Sequence, residues 1–399
     1  MNLIDPPTQH VDIEDGASDV NHDDDKHIEW TDGEFEAHMH NELSKHPLSS
    51  DYPALFATAP KIICKWRRRY RGNAPLWKRL FQKERVLKEF IEAVPIIDAV
   101  QRLVTGADGD TSTDTDDTRR LKNGEKYTIV DLACGRGYLS MILSELLPPD
   151  RVEKLVLVDK AWCMHNMKPE SHHISSAHIY GTVIPEDADA DDVNRNADVQ
   201  EQSSIPCTYY NTWPISLNTS KVDLKKSKEI SNMERRLFNN TEQGSGGGPI
   251  ILLAVHLCGT LSLRAVELFN NNPNTVLFCL KPCCLPGKKR RSIVHAKRHE
   301  IFQLGDHSFD SKLVCMSGKW NKNKWKGPCR SLTKKYFNRW AENLYLGIMN
   351  NTATAADDDD DVGEDVAPVV TKVRKTVPIQ LNGGYQNEFL FAERHQRRR

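Results

Sequence analysis

No stretch of this sequence approaches the roughly 18 consecutive apolar residues of a membrane-spanning helix. The acidic opening, MNLIDPPTQHVDIEDGASDVNHDDD, has neither the apolar centre of a signal peptide nor the Arg-rich character of a transit peptide. A cytoplasmic or nuclear protein with no membrane partner is therefore expected. Cys-x-x-Cys pairs are missing too. The 10 cysteines lie in apolar runs or beside proline, which points to reduced thiols and away from a disulfide framework.

An overall excess of one charge is also lacking, because 54 Lys and Arg face 55 Asp and Glu, a net charge of -1. That balance hides segregation. Residues 1–50 hold 13 acids against 2 lysines, 61–90 hold 11 Lys and Arg against 2 glutamates, and 285–335 hold 14 against 3 acids. Two basic segments in an acidic chain suggest a polyanionic partner, which the neutral average conceals.

At 399 residues, 27% charged and 39% hydrophobic, one core with polar tails and insertions is the expected organisation. Residues 1–59 read as a disordered acidic tail, since Met1 to Ser50 is rich in Asp and His and shows no periodicity, with order beginning near Pro60. Between Trp77 and Val104 the apolar spacing predicts one or two amphipathic helices, broken or kinked at Pro95. Residues 60–124 thus form a basic, helical extension on the substrate side. Four segments (106–117, 185–204, 241–248 and 353–365) are too polar to offset their ordering entropy and are expected as disordered insertions.

Set those aside and residues 125–399 alternate strand and helix, with strands over 127–132, 154–158, 213–224, 250–255 and 275–280. A helix over 331–348 follows, then strands over 369–379 and 388–392 joined by LNGG, a hairpin signal. The predicted class is α/β: a Rossmann-like parallel sheet with helices on both faces, closed by a terminal β-hairpin.

The most informative stretch is YTIVDLACGRGYLSMIL, residues 127–143. An apolar strand ends in Asp131 and runs into Ala133, Gly135 and Gly137, where small residues let backbone touch a ligand at the start of a helix. Gly135, Gly137 and Ser140 come close to the dinucleotide pattern, with Asp159 as the ribose acid, so a nucleotide-dependent oxidoreductase is one reading. Asp131 favours another. A carboxylate at the strand tip repels a pyrophosphate and attracts an ammonium or sulfonium.

These residues resemble the first motif of class I S-adenosylmethionine-dependent methyltransferases, whose sheet has seven strands with the last antiparallel. The resemblance implies S-adenosyl-L-methionine as cofactor. It places Asp131, Ala133, Gly135 and Gly137 at the methionine end, Asp159, which ends LVLVD, on the ribose hydroxyls, and Asp223, in KVDLKK, beside the adenine. Asp159 equally suits an N-cap for a helix starting near Trp162, and Asp223 a solvated surface acid. The fourth strand ends AVHLCG and the fifth FCLKPCCLPG, which resembles the eukaryotic tRNA 2'-O-methyltransferases of the acceptor stem and a wider set of uncharacterised methyltransferase domains. Their zinc-binding Cys/His modules have no counterpart here.

Three chemistries compete at that edge. Lys281 or His256 deprotonates or orients an acceptor; Cys283 or Cys284 adds covalently to a pyrimidine; or His256, Cys258, Cys283 and Cys284 bind zinc, which adjacent cysteines disfavour, so no metal is expected. Buried thiols packing the sheet edge are the structural alternative. No Asn-Pro-Pro-Tyr segment follows the fourth strand, which argues against the usual adenine-N6 chemistry. The basic segment 61–90 interleaves Arg with Trp66, Tyr70 and Trp77, and 285–335, with GKKRRSIVHAKRH and KWNKNKWKGPCR, directly follows the fifth strand; Lys and Arg beside aromatics suit phosphate contact and base stacking. The expected function is therefore an RNA methyltransferase with a tRNA-like substrate. The alternatives are a protein or small-molecule acceptor, or a noncatalytic RNA-binding protein on such a scaffold.

Overall fold

Apolar, β-branched runs form a seven-stranded sheet in the order β10-β11-β5-β4-β1-β2-β3. Its strands are β1 (Tyr127–Leu132), β2 (Val152–Asp159), β3 (Ser216–Lys221), β4 (Ile250–Ala254), β5 (Thr275–Leu280), β10 (Val369–Thr376) and β11 (Glu388–His395). β1 to β5 are parallel neighbours, whereas β11 runs antiparallel to both β5 and β10. The computed structural model describes residues 30–70, 73–81, 85–106, 125–163, 170, 172–180, 213–238, 248–286, 300–315, 319–321, 324–326, 330–349, 369–379 and 386–395. The insertions expected at 185–204 and 353–365, nearly all of those at 106–117 and 241–248, residues 1–29, and 287–299 of the second basic segment lie outside the described residues.

Helices cover both faces. They are α1 (Asp32–Ser44), α2 (Leu48–Asp51), α3 (Pro53–Tyr70), α4 (Ala74–Phe81), α5 (Arg85–Thr105), α6 (Tyr138–Leu146), α7 (Ala177–Tyr180), α8 (Ser227–Leu237), α9 (Leu261–Asn271) and α10 (Arg330–Gly347). The two-residue period of the strands sorts their side chains between two cores. Ile129, Leu155, Leu157, Ile251, Leu253 and Cys279 join the α1–α6 layer, while Val130, Leu132, Val156, Leu252 and Phe278 pack with Met233 of α8, Phe269 of α9 and Trp340 of α10. Burying each such Leu or Phe stabilises by about 1.5–3 kcal/mol. Among the described residues no helix is long and apolar enough to cross a membrane.

The expected disordered tail needs correction over 30–59, which is helical and packed. Thr31 and Glu34 form a capping box: the Glu34 N–H donates to Thr31 Oγ1 at 3.3 Å and the Thr31 N–H to Glu34 Oε2 at 2.8 Å. Phe35, Met39 and Leu43, four apart, then bury one face of α1 in the core. Pro60 does not open the ordered region; it lies inside α3. Pro95 likewise lies inside α5, which continues to Thr105. Both prolines are buried among apolar neighbours, and this packing outweighs a helix-interior penalty of about 3 kcal/mol each. The 60–124 extension thus shares one core with the sheet. Residues 285–335 also contain two short antiparallel hairpins that the sequence did not suggest: β6 (Ile301–Leu304) with β7 (His307–Asp310), and β8 (Lys319–Asn321) with β9 (Lys324–Lys326).

Candidate functional site

At the carboxyl edge, β1 and β4 are adjacent and the chain turns into a tight loop. Ala133, Gly135 and Gly137 all have positive φ, at 51°, 56° and 82°. The reasons differ. A Cβ on Gly137 would meet Leu157 Cδ2 at 2.4 Å, so packing demands glycine there, while a Cβ on Gly135 would meet nothing within 4 Å. Open space therefore faces the Gly135 backbone beside the N-terminus of α6.

Asp131 sits beneath this loop and is 2% exposed. Ser140 Oγ, in the first turn of α6, donates to its Oδ2 at 2.8 Å. Burial pushes the Asp131 carboxyl up to about 7, against the Ser140 hydrogen bond and the nearby His256, which pull it down. Asp159, at the end of β2, accepts from the Gly135 N–H (3.1 Å, Oδ2) and the Ala161 N–H (2.8 Å, Oδ1), and so ties β2 to the glycine loop. Residues 160–163 carry no helix, so no N-cap role near Trp162 is seen among the described residues. Asp223 follows β3 and accepts from the Lys225 N–H at 3.0 Å, closing a local turn. Its own N–H donates to Glu229 Oε2, in the first turn of α8, at 2.7 Å.

The N-terminal helices clamp the loop from outside. His178 donates from Nε2 to the Arg136 carbonyl at 2.7 Å, the Tyr70 hydroxyl donates to the His178 carbonyl at 2.6 Å, and Arg136 reaches the Arg79 carbonyl. Burial lowers His178 to about 4, so the ring stays neutral at physiological pH.

His256 and Lys281 are held by acids that sequence reasoning did not single out. His256 Nε2–H donates to Glu89 Oε2 at 2.7 Å, with its Nδ1 4.0 Å from Glu92 Oε2. Burial opposes ionisation of Glu89, but the hydrogen bond and charge of His256 prevail and hold its carboxyl below the usual value. Lys281 Nζ is 2.9 Å from Glu92 Oε2 and the residue is 1% exposed. Of the two side chains expected to deprotonate or orient an acceptor, Lys281 is thus the one screened from solvent and paired with Glu92. The available signal was two acids three apart, Glu89 and Glu92, flanking buried Phe90 in the first two turns of an amphipathic helix.

Three sulfurs converge nearby. Cys258 Sγ lies 3.1 Å from Cys283 Sγ, and Cys283 Sγ 3.6 Å from Cys284 Sγ. Hydrogen bonds from Cys283 and then Cys284 hold the Cys258 thiol well below its ordinary value, whereas Cys283 is pushed up by its bond to Cys258.

The first basic segment also differs from expectation. Trp66, Tyr70 and Trp77 are buried in the core and cannot stack on bases, and Arg67 is buried against Asp32. Exposed cations on one face of α3 are Lys61, Lys65, whose Nζ is 2.5 Å from Glu145 Oε2, and Arg68, 3.9 Å from Asp32 Oδ2. No protein-family model matches this sequence, and no curated protein sequence matches it.

Proposed function

We propose that this chain is an S-adenosyl-L-methionine-dependent methyltransferase whose acceptor is a structured RNA. The observation that carries the reading is Asp131: an acid buried at the expense of its own ionisation, under a positive-φ loop with open space at Gly135. The sheet supports it, because an antiparallel β11 inserted beside β5 resembles the methyltransferase arrangement, whereas a dinucleotide fold has six parallel strands. A noncatalytic scaffold would need neither Asp131 nor Asp159.

The residues fit the cofactor. Asp131 suits its ammonium or sulfonium, the Gly135 backbone allows close approach, and Asp159, already at the loop, is the acid for ribose hydroxyls. When bound, the donor supplies a methyl group activated on a positively charged sulfur. The chain then has to orient an acceptor and take its proton. His256 is the candidate base: Glu89 fixes the ring through Nε2–H, which leaves Nδ1 to receive a proton. Lys281 and Glu92 hold α5, and with it Glu89, against the sheet edge.

The acceptor assignment rests on the α3 stripe of Lys61, Lys65 and Arg68, which suits phosphate contact without base stacking. Incubation with labelled methyl donor and separated RNA, protein and metabolite fractions tests it. Label should enter RNA and disappear with Asp131→Asn; label confined to protein or metabolites contradicts the RNA assignment.

A further inference from the structure

The three sulfurs at the ends of β4 and β5 are not explained by methyl transfer. Cysteines that merely pack a sheet edge are buried, as Cys279 is, yet Cys258 is exposed and Cys283 and Cys284 are partly so. The backbone brings them together deliberately. Gly259, at φ 57°, turns the chain so closely past the next strand end that a Cβ there would meet Pro286 Cα at 3.3 Å. Cys258 and Cys284 form a parallel bridge, and the Gly259 N–H donates to the Cys284 carbonyl at 3.3 Å.

The sulfurs lie at or inside the spacing of a thiolate metal site, so an ion would need only to spread Cys258 and Cys283 by about 0.7 Å. A tetrahedral ion with metal–sulfur bonds of about 2.3 Å holds its sulfurs about 3.8 Å apart. Here Cys258 and Cys283 are 3.1 Å apart, Cys283 and Cys284 3.6 Å, and all three sulfurs lie within 4.8 Å of one another. Adjacent cysteines usually point apart, which argues against such a site from sequence, but Cys283 and Cys284 here present both sulfurs to Cys258.

We propose that Cys258, Cys283 and Cys284 bind one soft metal ion of the zinc class, clipping the loop after β4 to the segment after β5. Among the described residues these three cysteines are the only group of His, Cys, Asp or Glu placed to hold such an ion. Thiolate donors select zinc over magnesium or calcium. Binding needs no redox partner, since the thiol protons still present leave to solvent as the sulfurs bond to the ion. The site stands or falls independently of the donor that the glycine loop takes.

The test uses the full chain purified under reductant. Elemental analysis should find zinc at one equivalent per chain, and cobalt substitution should produce the intense near-ultraviolet thiolate-to-metal charge-transfer band. Cys258→Ser, whose position is exposed and whose fold is checked by circular dichroism, should weaken metal binding by more than about 100-fold, a loss above that typical of supporting residues. Cys283→Ser and Cys284→Ser should do likewise, and Cys163→Ser should bind as the parent does. Absence of retained zinc together with absence of the charge-transfer band overturns the proposal. So does equal binding by all variants, or a Cys258–Cys283 disulfide, seen by mass spectrometry, that persists under reductant.

Discussion

Lys281 and Glu92 form a buried ion pair, 2.9 Å from Nζ to Oε2, that joins the end of β5 to a helix 189 residues earlier in the chain. Both side chains are nearly sealed from water. Their attraction offsets a desolvation cost that neither could bear alone, so the pair acts as a registry device between the helical layer and the sheet edge.

Breaking that pair on one side leaves an uncompensated buried charge. Lys281→Met should cost about 3–5 kcal/mol of unfolding free energy, and the double variant Lys281→Met/Glu92→Leu should recover most of it. Urea denaturation of the four proteins in the cycle reads the coupling. A single variant as stable as the parent removes the pair from this account.

Asp131 makes stability and donor binding run in opposite directions with pH. Its folded value, about 7, lies above its ordinary 3.8, so the contribution to stability is fully present below 3.8 and is lost as pH rises through about 7. At full ionisation the loss is on the order of 4 kcal/mol. Asp131→Asn should therefore be at least as stable as the parent at pH 8, and thermal unfolding checks this. In the parent, affinity for a cationic donor should rise about tenfold per pH unit below 7, because the ligand requires the carboxylate. Flat affinity between pH 5.5 and 7 contradicts the assignment.

His256 should separate binding from chemistry. Without its ring base, His256→Asn should lower turnover by about 100- to 10,000-fold while donor affinity stays within a few-fold, as stopped assays and calorimetry would show. Glu89→Gln, which keeps the shape of the partner but not its charge, should lower turnover while leaving donor affinity within a few-fold. Unchanged turnover would leave Glu89 with packing alone.

Phe35 carries the claim that the folded unit begins before residue 59. It is fully buried, edge-on to Trp77 at 5.8 Å and near Phe81 at 5.6 Å. Phe35→Ala should cost about 3–5 kcal/mol. If denaturant midpoints are unchanged, α1 does not belong to the core.

Much of this was legible in the sequence because strands buried on both faces read as continuous apolar runs. β1, β4 and β5 start at their predicted residues, and the hairpin signal LNGG does separate β10 from β11. α1 was illegible for the opposite reason: Phe35, Met39 and Leu43 are isolated among Asp, Glu and His, and their spacing matters only once another helix covers them. The basic-aromatic run of α3 misled because composition does not say which side a side chain faces; three aromatics went inward and left the cations outside. Glu89, Glu92 and the three-sulfur convergence depend on contacts between elements far apart in sequence, which periodicity cannot carry.

The central claim is that a buried acid under the glycine loop receives a cationic methyl donor. Isothermal calorimetry with S-adenosylmethionine, its demethylated product and NAD, on the parent and on Asp131→Asn, tests it most directly. The account predicts saturable binding of S-adenosylmethionine by the parent, weakened at least about tenfold in Asp131→Asn, with no NAD binding. NAD binding by a folded parent that ignores both S-adenosylmethionine and its product would contradict it.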